Sequence, residues 1–472
     1  MLFSSTTFLY AFLPLVLIVY YIVPHKIRNL ILFIFSLVFY AWGEPYYVFL
    51  MIASTVVAYI TGIFADKQKE NTKKIVPKIS MAVAVIWNIG LLLFFKYTNF
   101  FIGAANDIFG TSLKQMEGIT LPIGISFYSF QTLSYVIDVY RGNVKSQKNF
   151  ITLGTYVSLF PQLIAGPIVR YVDVAEQLSH RKENLEHFAD GVRRFSIGLG
   201  KKVLLANNIG ALFDTISNTS QNELSVLASW LGVIAYTFQI YFDFSGYSDM
   251  AIGLGKMFGF DFLENFNYPY ISDSITDFWR RWHISLSSWF RDYVYIPLGG
   301  NRKGKPRQCL NIMIVWFLTG FWHGANWNFM MWGVYFGVIL LIEKFVLHKF
   351  LDILPAVVKH IYALILIVIG WGIFAYEDTS KLVQNFKNMF GAGGLPFIND
   401  QTIFWLTQYA VTIIILILAS TPLFKRIGNA FERNHPALYS GVAVPIISVV
   451  LLVVCTAYLA GNSFNPFLYF RF

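Results

Sequence analysis

Charged residues and cysteines are both scarce in this sequence. Only 13% of its 472 residues are charged and 56% are apolar, whereas an ordinary soluble protein carries roughly 25% charged residues. So few charges could not cover the apolar surface of a soluble fold of this length. A lipid-facing surface should itself be apolar, so the composition excludes a soluble protein and predicts a multi-spanning membrane protein.

Familiar catalytic and metal-binding motifs are also missing. The two cysteines, Cys309 and Cys455, are far apart, and the sequence has no CxxC pair, HExxH motif, GxSxG elbow or phosphate-binding loop. These motifs carry the ligand or nucleophile spacing of zinc sites, hydrolases and nucleotide-binding proteins. We therefore expect no metal site, no disulfide framework and no bound cofactor.

The net charge of +10 would suit a nucleic-acid-binding protein, but its distribution indicates otherwise. The basic residues fall in short segments between apolar runs, with the strongest clusters at 66–74 and 301–307. An excess of Lys and Arg is typical of cytoplasmic loops. We therefore expect no nucleic-acid partner, a lipid bilayer as the surroundings, and a cytoplasmic position for both loops.

Apolar runs divide the chain into candidate transmembrane helices of about 20 residues each. They cover residues 7–23, 29–43, 46–64, 79–104, 121–140, 151–169, 191–213, 225–257, 309–343, 356–376, 403–424 and 439–460. The sequence thus predicts an all-α fold of about 10 to 13 helices, forming one domain over 1–472. Residues 170–300 mix charges with aromatics, which favours amphipathic or re-entrant helices around a central cavity.

One histidine, His323, lies deep inside an apolar run. It is roughly 14 residues beyond the start of the run, or on the order of 20 Å along a helix. Helical spacing places Thr319 and Asn326 on the same face. An ionisable residue at this depth indicates a functional site, although a structural hydrogen bond between helices packed at Gly320 and Gly324 is the alternative.

A second histidine, His283, lies in the aromatic segment 277–292. Trp279, His283 and Ser287 would form one stripe of a continuous helix, with Asp277 and Arg281 as an i,i+4 ion pair. An interfacial helix with an aromatic belt explains the tryptophans and arginines. It does not explain a histidine and a serine that continue the stripe.

Polar residues also interrupt the apolar run around 236–262. Asp243 and Tyr247 are four residues apart and could share a hydrogen bond, and Asp249 follows. Buried carboxylates need partners, and the nearby Arg280, Arg281 and Arg291 are available to them. An ion-pair network is the simpler interpretation, and the orientation of a catalytic histidine is the alternative.

Five segments, in this order along the chain, resemble the membrane-bound O-acyltransferases, and within them the membrane subunits of bacterial alginate and polysaccharide O-acetyltransferases. They are "LPIGISFYSFQTLSYVIDVYRG" (121–142), "LFPQLIAGPIVRY" (159–171), "FDFSGYSDMAIG" (242–253), "DFWRRWHISLSSWFRDYVYIPLGGNR" (277–302) and "FWHGANWNFMMWG" (321–333). The resemblance covers nearly the whole chain, including the closing "FNPFLYFRF".

The resemblance implies that His323 is the catalytic histidine and His283 the second histidine of the family. It also implies a cavity between a cytoplasmic acyl donor, acetyl-CoA or another thioester, and an acceptor on the other face. His323 would act as the base, and His283 or Asn326 would donate to the oxyanion. Asp249, Tyr247 and Arg281 would support or orient the site.

The same resemblance implies a location and partners. We expect the bacterial cytoplasmic membrane, an extracytoplasmic polysaccharide as the final acceptor, and a separate extracytoplasmic acetyltransferase as partner. Arg302, Lys303 and Arg307 could attract an anionic donor. Three alternatives stay open: D-alanyl transfer to teichoic acid, a sterol or lipid acyltransferase, and a polysaccharide exporter or flippase, for which no repeated halves are visible.

Overall fold

The computed structural model describes residues 1–66, 75–164, 166–461 and 464–468. Within these ranges the regular secondary structure is helical and no strand occurs, which confirms the all-α prediction. Most of the basic loop at 66–74 lies outside the described residues. The chain forms two compact units, residues 1–195 with 248–263, and residues 196–247 with 264–472.

Seven helices among the described residues are long and apolar enough to cross a membrane, which confirms a polytopic membrane protein. Several predicted spans are shorter or more polar than this. The predicted span 29–43 corresponds to a helix of 17 residues, His25–Ala41. The predicted span 121–140 corresponds to another of 17 residues, Ile125–Arg141, which begins after Gly124, whose φ is +75°. The predicted run of 309–343 is two helices, as described below.

The first unit is built from helices α1 to α8, most of α9 and the end of α11. Their bounds are Phe8–Ile22 (α1), His25–Ala41 (α2), Tyr47–Ala65 (α3), Ile75–Phe109 (α4), Ile125–Arg141 (α5), Phe150–Ser158 (α6), Phe160–Leu163 (α7), Tyr171–Val174 (α8) and Leu185–Gly200 (α9). Polar links join them inside the apolar core. Thr132 on α5, for example, donates to Asn88 on α4 at 2.8 Å.

The second unit contains most of α11 and the remaining helices. Their bounds are Asn207–Asn218 (α10), Val226–Met257 (α11), Ile275–Arg281 (α12), Ile284–Phe290 (α13), Lys305–His323 (α14), Trp327–Ile353 (α15), Ala356–Ala375 (α16), Thr379–Met389 (α17), Asp400–Ala419 (α18), Leu423–Asn434 (α19) and Pro436–Gly461 (α20).

The α14–α15 pair is tightly packed and antiparallel. A Cβ atom on Gly320 would lie 2.3 Å from the Phe329 carbonyl oxygen, and one on Gly333 would lie 2.4 Å from the Trp316 carbonyl oxygen. Glycine at these two positions lets the backbones touch, as small residues do in membrane helix pairs. The predicted packing role of Gly320 is therefore confirmed.

Segment 277–292 does not form the single helix that its spacing predicts. Helix α12 ends at Arg281, and His283 has a φ of +45° before α13 begins. A non-glycine residue with positive φ is uncommon because its Cβ crowds the backbone. The break divides the segment into α12 and α13, which have seven residues each. Neither helix is long enough to cross a bilayer.

Candidate active site

A cavity of about 290 Å³ lies within the second unit, and both histidines line it. It is bounded by α12, α13 and the residues after it, and α14. The lining residues are Thr276, Trp279, Arg280, Trp282, His283, Leu286, Ser287, Phe290, Arg291, Tyr295, Ile312, Val315, Trp316, Thr319, His323 and Leu340. Trp279, His283 and Ser287 all face it despite the break between α12 and α13.

His323 is the last residue of α14 and is 6% exposed. Its ring packs edge-on against Trp332 at 5.1 Å and Phe374 at 5.3 Å between ring centroids. The neighbouring Trp322 ring lies 4.9 Å from His323 and 6.3 Å from the ring of His283. The Trp322 ring thus lies between the two imidazoles that line the cavity.

His283 is held by Asn265, a residue that the sequence did not single out. Asn265 Oδ1 lies 3.1 Å from His283 Nδ1 and also accepts the Ser285 N–H at 3.2 Å and the Ser285 hydroxyl at 2.9 Å. A backbone N–H can only donate, so the Asn265 atom at this point is the oxygen. The proton of the neutral imidazole therefore resides on Nδ1.

This tautomer decides what His283 can do. Burial lowers the pKa of His283 from its ordinary value, so the ring is neutral near pH 7 and its lone pair is on Nε2. A neutral ring with that lone pair accepts a hydrogen bond at Nε2 and cannot donate one there. The donor role toward an oxyanion that the resemblance implied does not fit this arrangement.

Asn326 does not share a helical face with His323, and that prediction is wrong. Helix α14 ends at His323, and Gly324 is extended with a φ of −167°. Asn326 instead caps α15 by accepting the Trp327 N–H at 2.7 Å, and it donates to the Glu377 carbonyl oxygen at 3.3 Å. Thr319, one turn before His323, does line the cavity.

The buried acidic residues form ion pairs, as expected, but the predicted partners are wrong. Asp243 pairs with Lys202 at 2.8 Å. Asp249, in the first unit, pairs with Arg194 at 2.6 Å. These cations lie in segments distant in the sequence from the arginines of 280–291.

Two other predicted supporting residues are also placed away from the cavity. Tyr247 is 2% exposed, and its ring packs against Phe467 at 4.6 Å. Arg281 forms the predicted pair with Asp277 at 2.8 Å. Neither is among the residues that line the cavity, whereas the neighbouring Arg280 is.

A second cavity of about 490 Å³ adjoins the first and shares Thr276, Arg280, Ile312, Trp316 and Leu340 with it. We call this second cavity the basic vestibule, after the four basic side chains Arg280, Lys344, His348 and Lys359 in its lining. Its lining also holds three carboxylates, Asp273, Glu343 and Asp352, which equal in number its three permanent cations, Arg280, Lys344 and Lys359. Asp273 pairs with Lys359 at 3.3 Å, and Glu343 accepts the Ile275 N–H at 2.7 Å.

Arg280 and Lys344 form no ion pair with any residue that the structure describes. Arg302, Lys303 and Arg307, which the sequence offered as anion-attracting residues, line neither cavity. Arg307 instead donates to the Leu298 carbonyl oxygen at 3.3 Å. No sequence signal indicates that the α15 cations, rather than those of the 301–307 loop, would adjoin the site.

Comparison with known proteins supports the chemistry that these cavities suggest. Residues 86–378 match the model of the membrane-bound O-acyltransferase family. The protein named "Probable alginate O-acetylase AlgI" in Azotobacter vinelandii is 38% identical over 100% of both chains. The peptidoglycan O-acetyltransferase of Helicobacter pylori is 31% identical over 100% of this chain and 98% of its own.

A third relative matches only in part. The teichoic acid D-alanyltransferase of Bacillus subtilis is 29% identical over 47% of this chain and 59% of its own. All three relatives are acyltransferases by name, which removes the exporter and flippase alternative. The chain, in which two histidines line one cavity, belongs to the membrane-bound O-acyltransferase family and is an O-acyltransferase.

Proposed function

We propose that this protein moves an acetyl group from a cytoplasmic acyl thioester, such as acetyl-CoA, toward hydroxyl groups of an extracytoplasmic polysaccharide of the alginate type. The full-length relatives named for alginate and peptidoglycan O-acetylation support acetyl transfer. The D-alanyl alternative has a relative that matches about half of the chain. The observation that carries the proposal is the cavity that His283 and His323 line together.

The reaction requires that a hydroxyl oxygen attack the thioester carbonyl. The proton of the hydroxyl passes to His323, the carbon–sulfur bond breaks, and the departing thiolate takes a proton. A neutral imidazole is suited to accept a proton near pH 7, and such a base contributes about 10²- to 10⁴-fold in rate. His283, with its lone pair at Nε2, accepts a hydrogen bond from a second hydroxyl group of the acceptor and so orients the acceptor for attack.

The developing oxyanion needs a hydrogen-bond donor that neither His283 nor Asn326 provides. Trp279 lines the cavity, and its indole N–H is buried with no acceptor among the residues described. An indole N–H can only donate. We assign the oxyanion contact to Trp279, since a preorganised donor in a dry site stabilises developing charge strongly.

The basic vestibule is the entrance that we assign to the donor. Because α14 and α15 are antiparallel, Lys344 and His348 lie at the same end of the pair as loop 301–307, which we assign to the cytoplasm on the basis of its basic residues. Arg280 connects the vestibule to the histidine cavity, since it lines both. Arg280 and Lys344, which form no ion pair among the described residues, are the cations that would contact the phosphates of a coenzyme A thioester.

The acetyl group would then be passed on outside the cytoplasm. We propose that the protein resides in a bacterial cytoplasmic membrane and works with a separate extracytoplasmic acetyltransferase that completes transfer to the polymer.

The test is acetyl transfer by purified protein in nanodiscs, supplied with radiolabelled acetyl-CoA and a soluble oligosaccharide. We expect slow release or transfer of acetyl by the wild type and none by His323→Gln. Raising the salt concentration should increase KM for acetyl-CoA, because the attraction between the phosphates and the vestibule is partly screened. Activity with an acylated carrier protein, and none with acetyl-CoA, would contradict the proposal and favour D-alanyl transfer.

A further inference from the structure

The end of the chain packs against a buried ion pair in the second unit. Lys202 and Asp243 are each 2% exposed, and Lys202 Nζ lies 2.8 Å from Asp243 Oδ1. Lys202 Nζ also donates to Asn207 Oδ1 at 2.8 Å and to the carbonyl oxygen of Pro466. The ammonium group thus contacts three oxygen atoms, two of them as a hydrogen-bond donor.

Residues 464–468, which we call the C-terminal clasp, contact both members of this pair. Besides the Pro466 carbonyl on Lys202, the Leu468 N–H donates to Asp243 Oδ2 at 2.9 Å. Asn207 donates to Asn465 Oδ1 at 3.2 Å. The clasp is thus bound through its backbone at two points and through a side chain at a third.

The energetics of buried charge make the clasp and the ion pair depend on each other. Two charges removed from water are stable only when further hydrogen bonds satisfy their remaining donors and acceptors. Without the clasp, Lys202 would lose one acceptor and Asp243 would lose one donor. Conversely, without the pair, the two backbone groups of the clasp would lose their charged partners.

The pair lies on the helix that forms a wall against His283. Phe244, the residue after Asp243 on α11, packs edge-on against the His283 ring at 4.7 Å between centroids. Phe244 also packs against Phe266 at 4.9 Å, next to Asn265, which holds His283 Nδ1. One turn further along α11, Tyr247 packs against Phe467 of the clasp. This part of α11 therefore contacts both the clasp and the His283 ring.

We propose that the C-terminal clasp, through Lys202 and Asp243, holds α11 in the position that orients His283 for acyl transfer. Lys202 and Asp243 are then positioning residues, and the clasp is needed for turnover beyond its contribution to folding. This inference rests on the proposed function only where His283 is taken to act in the reaction.

A cycle of variants in the full-length protein tests the coupling. The perturbations are a chain that ends at Gly461, the double variant Lys202→Met with Asp243→Leu, and the two combined. We expect the truncation to lower kcat about tenfold or more, within the range seen when groups that orient an active-site histidine are removed, with KM for acetyl-CoA unchanged. In the double-variant background the same truncation should lower kcat less than about threefold, because coupled sites are not additive.

Two single substitutions distinguish the effect of losing the Leu468 N–H hydrogen bond from the effect of losing side-chain packing at this position. Leu468→Pro removes the N–H that Asp243 accepts, because proline has no amide hydrogen, whereas Leu468→Ala keeps it. We expect the proline variant to lose more turnover than the alanine variant. As a matched control, Lys256→Met removes a partly exposed ion pair with Asp190, at 3.4 Å, from the same helix and should leave kcat near the wild-type value.

Thermal unfolding of the same variants provides a readout that does not need activity. If clasp and pair are coupled, the truncation should lower Tm more in the wild-type background than in the double variant. The inference would be overturned if the effects of the truncation and of the double variant on Tm and kcat were additive. It would also be overturned if the truncated protein had an unchanged kcat per folded molecule. A wild-type protein with no transfer activity would instead refute the proposed function, and the Tm cycle would still decide whether the clasp is coupled to the pair.

Discussion

The hydrogen bonds accepted by Asn265 predict how strongly stability and activity depend on the orientation of His283. Asn265, Ser285 and His283 are 1%, 3% and 1% exposed, and Asn265 Oδ1 is the acceptor for the imidazole N–H, the Ser285 N–H and the Ser285 hydroxyl. Asn265→Ala removes that acceptor. The hydroxyl can rotate to another partner, but the two N–H groups cannot, so two buried donors lose a bond.

Each buried donor that loses its bond costs about 1 to 3 kcal/mol, so Asn265→Ala should lower the free energy of unfolding by about 1 to 6 kcal/mol, with the smaller loss if the imidazole proton moves to Nε2. It also frees the imidazole to change tautomer, and we expect a loss in activity of about 10- to 100-fold, by analogy with the partners that orient metal-binding histidines. Ser285→Ala is the matched control, because it removes one donor and leaves the His283 bond intact.

The variant Asn265→Asp distinguishes the loss of these hydrogen bonds from a change in the protonation of His283. A carboxylate can accept the same three bonds, but its charge favours the imidazolium form of His283, which carries a proton on Nε2. We expect Asn265→Asp to remain folded in detergent-solubilised thermal unfolding and yet to transfer acetyl poorly near pH 7. Wild-type kcat in Asn265→Ala would refute the assigned role of His283 as an oriented acceptor.

Three further predictions concern the oxyanion donor, the helix pair and topology. In the acetyl-transfer assay, Trp279→Phe should lower kcat by about tenfold or more, because the indole N–H is lost. Trp371→Phe, at a buried tryptophan outside the cavity lining, should have a smaller effect. Gly320→Leu should prevent close packing of α14 and α15 and sharply reduce membrane abundance on immunoblots, whereas Leu310→Ala, at an exposed position of α14, should not. Cysteines replacing Lys303 and Lys344 should resist impermeant thiol reagents in intact cells, whereas one replacing Lys387 should react; ready labelling of the first two would reverse the orientation.

Helical periodicity predicts much of this protein, because lipid forces the backbone into helices whose apolar runs are long. It identifies His323, a histidine inside an apolar run, and His283, which continues a helical stripe with Trp279 and Ser287. It fails where the chain leaves the helix. Nothing in residues 277–292 indicates that His283 has a positive φ, and Gly324 gives only a weak sign that α14 ends at His323.

The polar contacts were harder to predict than the helices. The partners of Asp243 are Lys202 and the backbone of Leu468, which are 41 and 225 residues away in sequence. Sequence proximity instead suggested the arginines of 280–291. Asn265 could not be recognised either, because its role depends on the turn that places the Ser285 N–H and His283 around one oxygen.

The substitution His323→Gln tests the central claim most directly. Glutamine keeps hydrogen-bonding capacity at this position but cannot accept a proton as a base. The measurement is the rate of acetyl transfer per mole of folded protein, with membrane abundance determined for the same preparations. A base at His323 predicts a loss of about 100-fold or more in His323→Gln, similar to that in His323→Ala and at near-normal abundance. A wild-type rate in His323→Gln would contradict it and would mean that His323 supplies a hydrogen bond rather than proton transfer.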